Sequence, residues 1–295
     1  RYYESLKNLK KIISKFDKVY LYDNSIKYKN IFLFSDNTIL FKEGESKETI
    51  YKDYNILQNN NFFKFGIDSF LLSKFFLENT NLKHTYIADF CSGTGIIGIF
   101  TYLNILHNEE YNNHSLKKTN IGNLNIDFFE IQQYFADLNN RNCNNIYNMI
   151  LEKNNFHSIH NPFTVNNLDI QDILNNLNFK NKYTCILSNP PYMKENKGVK
   201  TNSFEKDIAK IAKKDFLKTF FKVSNFCLKD KGELFIVHKP ENLTEIIILA
   251  NSNKLELKLL QFITNSSNKA PSLFLAKFVK NGKTLLKLLP NKTIM

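Results

Sequence analysis

The feature that most constrains the fold is a strand, a glycine-rich loop and a helix in direct succession. Residues 85–89 form the apolar run of a buried strand, the loop is Phe90-Cys91-Ser92-Gly93-Thr94-Gly95-Ile96-Ile97-Gly98, and apolar residues continue to about Leu106. A G-x-G-x-x-G spacing between a strand and a helix is typical of nucleotide-binding α/β folds. The succession predicts a Rossmann-like α/β protein whose first parallel strand leads into a ligand-binding loop.

Acids at the strand ends indicate which ligand this loop serves. The first strand ends in Asp89, and a second predicted strand over residues 124–129 ends in Glu130. A carboxylate directly before the loop repels a phosphate and attracts an ammonium or a hydroxyl. S-adenosylmethionine has an amino group, a sulfonium and ribose hydroxyls but no phosphate, so Asp89 favours it over a dinucleotide. We expect Glu130 to accept hydrogen bonds from both ribose hydroxyls.

A third acid follows a third predicted strand. A helix over residues 132–142 and a loose Asn-rich connection to about Pro162 precede this strand, which covers residues 163–168 and ends in Asp169. We expect the Asp169 carboxylate to accept a hydrogen bond from the adenine amino group of the cofactor. Asp172 is the alternative acceptor, although an N-cap of the next turn suits Asp172 better.

The fourth predicted strand, residues 183–188, ends in Asn189-Pro190-Pro191-Tyr192. The two prolines lack backbone donors and hold the turn extended. The Asn189 amide oxygen and the Pro190 carbonyl are then two acceptors beside the flat ring of Tyr192. Acceptance of both hydrogens of a planar amino group frees its lone pair for attack on an electrophile. An ordinary Asn-Pro turn is the alternative, but three neighbouring strands that end in acids favour catalysis.

The flanking segments predict the rest of the sheet. Leu71, Leu72, Phe75 and Phe76 indicate a helix before the first strand, with Asp68 or Ser69 as its N-cap. A fifth strand over residues 233–237 leads into His238, and two more cover residues 257–263 and 272–279. We interpret His238 as a strand-end imidazole that bonds its own loop or an RNA phosphate, with a general base as the alternative.

The basic charge predicts an anionic partner. The net charge is +12, and the segments 194–214 and 254–295 hold most of the excess, with net charges of +4 and +7. Clustered lysines suit nucleic-acid phosphates, although a general bias toward Lys and Asn is the alternative reason. We interpret 194–214 as a flexible loop over the site and 254–295 as a second RNA-binding stretch.

The remaining composition restricts the class of protein. Cys91, Cys143, Cys185 and Cys227 are far apart and form no CxxC pair, which argues against a zinc site and a disulfide framework. No apolar run approaches the roughly 18 residues that span a bilayer. We expect a cytoplasmic monomer without metal, with an N-terminal extension over 1–53, built of a helix and a hairpin, ahead of a catalytic domain over 54–295. The polar stretch 107–123 is interpreted as a surface insertion.

These motifs carry a family resemblance. The segments 89–98 and 189–192 resemble motifs I and IV of class I S-adenosylmethionine-dependent amino-methyltransferases. Three further stretches are similar to the bacterial tRNA1(Val) adenine-37 N6-methyltransferases: residues 65–72, 237–243 and 280–290. The resemblance covers about residues 55–290.

The resemblance implies a fold, an activity and a set of site residues. It implies a seven-stranded, mostly parallel sheet with an antiparallel last strand, and methyl transfer to N6 of an anticodon-loop adenine of tRNA. Residues implied to line the cofactor are Asp89, Cys91, Gly93, Gly95, Glu130 and Asp169; those implied to hold the flipped base are Asn189, Pro190, Pro191 and Tyr192. Alternatives are methylation of a guanine N2, a DNA adenine or a protein glutamine amide, and a catalytically silent RNA-binding module.

Overall fold

The computed structural model describes residues 41–62, 64–80, 83, 85–107, 121–154, 160–194, 211–212, 216–266 and 269–294. The elements in chain order are β1 Glu45–Tyr51, β2 Tyr54–Asn59, α1 Ile67–Asn79, β3 Tyr86–Phe90, α2 Ile96–His107, β4 Asn125–Glu130, α3 Gln133–Lys153, β5 Phe163–Asn167, β6 Tyr183–Ser188, β7 Met193–Lys194, β8 Ile211–Ala212, α4 Phe216–Cys227, β9 Leu228–His238, α5 Leu243–Ser252, β10 Leu255–Thr264, β11 Leu273–Lys280, β12 Lys287–Leu288 and β13 Lys292–Thr293.

One large sheet forms the centre of the molecule. Its strand order is β12-β10-β11-β9-β6-β3-β4-β5, and β13 also pairs with β10. The strands β3, β4, β5, β6 and β9 are parallel, while β11 is antiparallel to both of its neighbours, β9 and β10. The predicted Rossmann-like sheet with an antiparallel last strand is therefore confirmed, although it has nine strands and not the predicted seven. The short strands β12 and β13 extend it at the β10 edge.

Helices cover both faces of this sheet, because its inner strands are apolar on both sides. On one face α1, α2 and α3 pack through buried residues that include Phe76, Leu103 and Ile146. On the other face α4 and α5 pack through residues that include Phe220 and Ile246. With both faces covered, the loops at the carboxyl ends of the parallel strands are where a ligand can reach the sheet.

Helix α3 is longer than predicted. The loose connection predicted after Asn142 is wrong, because the helix continues to Lys153. Its continuation buries Cys143, Ile146 and Ile150, which recur at spacings of three and four residues and so extend one apolar face. The many asparagines of this segment concealed that periodicity.

An antiparallel hairpin, β1 and β2, precedes α1 and packs against α3. Arg141 of α3 forms a two-bonded ion pair with Glu45, at 2.7 and 2.8 Å. The domain boundary predicted between residues 53 and 54 falls in the turn of this hairpin. The helix and strands predicted within residues 1–40 lie outside the described residues, as do most of the 107–123 insertion and the 194–214 loop.

The carboxyl end of α1 is fastened to the sheet by a buried ion pair. Lys277 of β11 and Glu233 of β9 are 2.6 Å apart, and each side chain is 2% exposed. Lys277 Nζ also donates to the carbonyl of Asn79 at 2.9 Å, and Thr80 Oγ1 donates to Glu233 at 2.6 Å. These bonds compensate the cost of burying two charges and fix the position of α1 on the sheet.

Candidate active site

The predicted site residues lie along one edge of the sheet. The strands β3, β4, β5 and β6 are parallel neighbours, so their carboxyl ends meet at this edge. The loop after β3 is also joined directly to the end of β6, because Ser188 Oγ donates to the Phe90 carbonyl at 2.7 Å. The glycine-rich loop and the Asn189–Tyr192 turn are therefore adjacent.

The glycines of the loop have the conformations that only glycine adopts readily. Gly93 and Gly95 have φ of +53° and +83°. A Cβ on Gly95 would lie 2.2 Å from Asn139 Oδ1, whereas a Cβ on Gly93 would have no atom within 4 Å. Gly95 is thus required for packing, and the space above Gly93 is open for a ligand.

Asp89 is a completely buried carboxylate at the end of β3. Its Oδ2 accepts a hydrogen bond from the Gly98 N–H at 2.9 Å, while Oδ1 has no partner among the described residues. Burial, with a smaller contribution from the charge of Glu130, raises the pKa of Asp89 to about 8. A buried carboxyl oxygen without a partner is suited to hydrogen-bond with a ligand.

Glu130, at the end of β4, holds the other side of the glycine loop. Its two oxygens accept hydrogen bonds from the Gly93 and Gln132 N–H groups, both at 2.9 Å. Burial raises the pKa of Glu130, and these backbone donors oppose the rise. Because the carboxylates of Glu130 and Asp89 already take the N–H groups of Gly93 and Gly98, those donors are not available to a pyrophosphate.

Two asparagines that the sequence did not single out fix the loop from behind. Asn139 and Asn142 of α3 are completely buried. Asn139 donates to Ser92 Oγ at 3.1 Å, and Asn142 donates to the Thr94 carbonyl at 2.9 Å. Asn142 also exchanges hydrogen bonds with the backbone of Leu57 in β2. Their spacing of three residues was a detectable signal, but the composition around them is rich in asparagine throughout.

The remaining predicted cofactor residues, Asp169 and Cys91, are placed differently. Asp169 is the N-cap of the 3₁₀ helix Ile170–Asn175 and accepts hydrogen bonds from the backbone and side chain of Gln171. The capping role predicted for Asp172 is thus wrong, since Asp169 holds it. Cys91 lies in the glycine loop with φ of +58°. Burial and the charges of Glu130 and Asp89 raise the pKa of the Cys91 thiol, which disfavours the thiolate.

The Asn189–Tyr192 turn is held by a residue of α1. Asp68 Oδ2 accepts hydrogen bonds from Asn189 Nδ2 and from the Tyr192 hydroxyl, both at 3.0 Å. The Tyr192 hydroxyl also lies within hydrogen-bond reach of Asn189 Oδ1. No described residue donates to the Pro190 carbonyl. The Asn189 amide is thus oriented with Nδ2 on Asp68 and Oδ1 on the opposite side.

This contact explains why Asp68 is not an N-cap. The predicted caps Asp68 and Ser69 are both wrong, because the helix begins after Gly66 and no side chain caps it. Asp68 lies in the first turn of α1, where a carboxylate is favoured by the helix dipole. A sequence pattern cannot distinguish this position from a cap, because the partners of Asp68 are more than 120 residues away.

His238 ends β9, the other neighbour of β6. Its ring centroid is 5.0 Å from that of Tyr192, at an interplanar angle of 69°. Nδ1 accepts a hydrogen bond from the Lys239 N–H at 2.8 Å, which confirms the interpretation of a strand-end imidazole that bonds its own loop. Burial lowers the pKa of His238 to about 4, so the ring is neutral at physiological pH.

Neither a metal cluster nor a membrane helix is found in the described part of the chain. Among these residues no group of three or more His, Cys, Asp and Glu side chains could hold a metal ion. No described helix is long and apolar enough to cross a bilayer.

Solved structures share this fold. A predicted O-methyltransferase from Agrobacterium tumefaciens matches with a TM-score of 0.51 and 15% identity, over 77% of this chain and 86% of that chain. A ribosomal protein L11 methylase from Lactobacillus delbrueckii subsp. bulgaricus matches with a TM-score of 0.47 and 11% identity, over 76% of this chain and 84% of that chain. A Pyrococcus abyssi tRNA (uracil-54, C5)-methyltransferase in complex with S-adenosyl-L-homocysteine matches with a TM-score of 0.45 and 14% identity, over 82% of this chain and 46% of that chain.

The Agrobacterium match supports the fold and leaves the reaction open. The identities are below 25%, and only the Agrobacterium structure has a TM-score above 0.5. No protein-family model matches the sequence, and no curated protein sequence is significantly similar to it. The chemistry therefore has to be argued from the side chains of this edge.

We predict that Asp89 makes stability depend on pH. The folded side chain keeps its proton to about pH 8, whereas the unfolded one releases it near the ordinary value of 3.8. The folded state binds more protons between these values, so the free energy of unfolding falls as pH rises. Asp89→Asn should remove this fall, which is at most about 1.4 kcal/mol per pH unit.

Urea unfolding between pH 4 and 8 measures the effect. Asp172→Asn, which changes an exposed aspartate, is the matched control and should retain the wild-type slope. An Asp89→Asn protein with the same pH slope as the wild type would show that Asp89 is ionised in the folded state.

Proposed function

We propose that this protein is an S-adenosylmethionine-dependent methyltransferase that acts on N6 of an adenine in RNA, and that an anticodon-loop adenine of tRNA is the target. The observation that carries the proposal is the Asp68–Asn189–Tyr192 cluster beside the glycine loop, at one edge of the sheet. This cluster supports the proposal because Asn189 and Pro190 offer acceptors for an amino group, next to buried carboxyl groups suited to a cofactor without phosphate.

The residues around the glycine loop fit this cofactor. Asp89 has an unpaired buried oxygen, and the space above Gly93 is open. The loop amides of Gly93 and Gly98 already have carboxylate acceptors, which disfavours a phosphate ligand and is compatible with hydroxyl and amino groups. Asp89, Cys91, Gly93, Gly95, Glu130 and Asp169 are the proposed cofactor-binding residues. When bound, the cofactor supplies a methyl group that moves to the amino nitrogen while the electron pair of the broken C–S bond stays on sulfur.

The turn after β6 prepares the amino group for this transfer. Asn189 Oδ1 and the Pro190 carbonyl accept its two hydrogens, which localises the lone pair on nitrogen. Asp68 keeps the Asn189 amide from rotating, so that oxygen rather than NH2 faces the substrate. Pro191 keeps the turn extended, and Tyr192 provides a ring for stacking on a flipped base. After the transfer the nitrogen is positively charged and strongly acidic, so it loses one of these hydrogens as a proton to water and no strongly shifted base is required.

The lysine-rich C-terminal stretch supports an RNA substrate in part. Of its eight lysines, Lys277 and Lys280 are bound inside the fold and are not free for phosphates. Exposed lysines remain in the stretch at positions Lys254, Lys269, Lys283 and Lys287. We propose that these and the lysines of 194–214 bind RNA phosphates, which makes RNA affinity fall as salt rises.

We predict that Asn189→Ala abolishes turnover without loss of cofactor binding, because the amide acts on the amino group only.

Glu130→Ala should weaken S-adenosylmethionine binding by about 10-fold or more, since a buried hydrogen-bonded charge on the loop is lost. Titration calorimetry and methyl-transfer assays separate the two effects. Asn140→Ala, on the exposed face of α3, is the control. Near-normal turnover of Asn189→Ala would refute the proposed role of the turn.

We predict that Asp68→Asn lowers kcat by about 10- to 100-fold, because a misplaced amide costs this much in a site that works by positioning. The KM for S-adenosylmethionine should not change, since Asp68 contacts the turn and not the glycine loop. Asp137→Asn, on the exposed face of α3, is the matched control. An unchanged kcat, or an equal loss in cofactor binding, would show that Asp68 has no positioning role.

A further inference from the structure

His238 carries a hydrogen-bond donor that nothing in the described structure uses. A backbone N–H is always a donor, so the bond from the Lys239 N–H requires Nδ1 to be the unprotonated nitrogen. A neutral imidazole has one N–H, which must then be on Nε2. Nε2 is buried and has no partner among the described residues, and the side chain is 1% exposed. Buried donors without an acceptor are rare and costly.

Tyr192 lies against both His238 and Asn189. Its ring packs against the His238 ring at 5.0 Å between centroids, and its hydroxyl lies at Asn189 Oδ1. That hydroxyl has one hydrogen and two acceptors, Asp68 Oδ2 and Asn189 Oδ1, so it donates to one of them at a time. Rotation of Tyr192 would release the Asn189 Oδ1 acceptor and open the side of the His238 ring that Tyr192 contacts.

We propose that His238 reads the substrate base by donating Nε2–H to the ring nitrogen next to the amino group that Asn189 holds. This inference rests on the proposed function and extends it to base selection. Other contacts hold the imidazole in place. Lys239 and Asn242 lie at Nδ1, and the ring centroid of Phe274 is 6.3 Å from that of His238.

An acceptor and a donor side by side match adenine and reject the Watson–Crick edge of guanine. In adenine the amino group is flanked by N1 and N7, and both are acceptors. On the Watson–Crick edge of guanine the 2-amino group lies next to N1–H, a donor that would oppose His238, whereas its other neighbour, N3, is an acceptor on the sugar side. The pair therefore discriminates against guanine at that edge, because N1–H would leave buried polar groups unpaired, whereas cytosine, with its amino group beside N3, is excluded only by size.

The competing possibility for Nε2–H is a weak contact with the face of the Tyr192 ring. Such a contact would stabilise the closed turn and have no influence on which base is methylated. The two possibilities therefore differ in their response to a change in the substrate ring.

A mutant cycle between protein and substrate tests the proposal. The probes are single-stranded oligouridylates with one central adenosine, 1-deazaadenosine or 7-deazaadenosine, and the readout is kcat/KM for methyl transfer. We expect His238→Phe, which keeps a ring but removes the donor, to lower kcat/KM for adenosine by about 10- to 100-fold. One deaza analogue should cost the wild type a similar factor. That analogue should cost His238→Phe no further loss, which separates the hydrogen bond from other effects of the analogue.

Two variants and one spectrum complete the test. His238→Gln, which places an N–H near the position of Nε2, should restore most of the activity and the discrimination. His160→Phe, at an exposed histidine before β5, should behave as the wild type. In protein labelled with 15N-histidine, the His238 proton should be on Nε2, and its resonance should shift with the adenosine probe and not with oligouridylate.

The outcomes distinguish this inference from the function on which it rests. A wild type that methylates adenosine and both deaza analogues equally, or a His238→Phe protein with unchanged kcat/KM, overturns the role of His238 and leaves the methyltransferase intact. A proton on Nδ1 overturns it as well. A wild type that binds S-adenosylmethionine but methylates none of the adenosine probes overturns both the adenine assignment and the inference.

Discussion

The site depends on two buried carboxylates that accept hydrogen bonds from the backbone of one loop. Asp89 takes the N–H of Gly98 and Glu130 takes the N–H of Gly93, so the ends of β3 and β4 hold the glycine loop from both sides. Burial raises the pKa of both acids, which means that the fold accepts an energetic penalty to keep them there. The same bonds occupy two donors that a phosphate would need, so the loop is better suited to a ligand without a phosphate.

The second half of the site is assembled from elements far apart in the chain. The turn after β6 brings Asn189 and Tyr192, α1 brings Asp68, and β9 brings His238. The buried pair Lys277–Glu233 holds α1 against the sheet, so a core interaction sets where Asp68 lies. Asp68 holds Asn189 and Tyr192 by hydrogen bonds, and Tyr192 packs against His238. Such mutual support is expected of a site that acts by orienting its substrate and not through a reactive nucleophile.

Much of the architecture could be predicted because local signals agreed with it. Apolar runs marked the strands, and the order of strands, acids and glycines specified the sheet edge. The contribution of α1 could not be predicted, since Asp68 looks like a helix cap until its partners 121 and 124 residues away are known. The length of α3 was not predicted because a segment rich in asparagine is typical of a loose connection. In the fold Asn139 and Asn142 are buried and hydrogen-bond to the glycine loop. The donor of His238 depends on a tautomer, which only a neighbouring N–H can fix.

Identification of the methylated nucleoside tests the central claim most directly. Unmodified total tRNA is incubated with the protein and labelled S-adenosylmethionine, digested to nucleosides and analysed by mass spectrometry. The account predicts label in N6-methyladenosine, and loss of that label with increasing salt as phosphate contacts weaken. Label in a methylated guanosine would contradict the adenine assignment and keep the methyl transfer. Absence of cofactor binding would contradict the account as a whole.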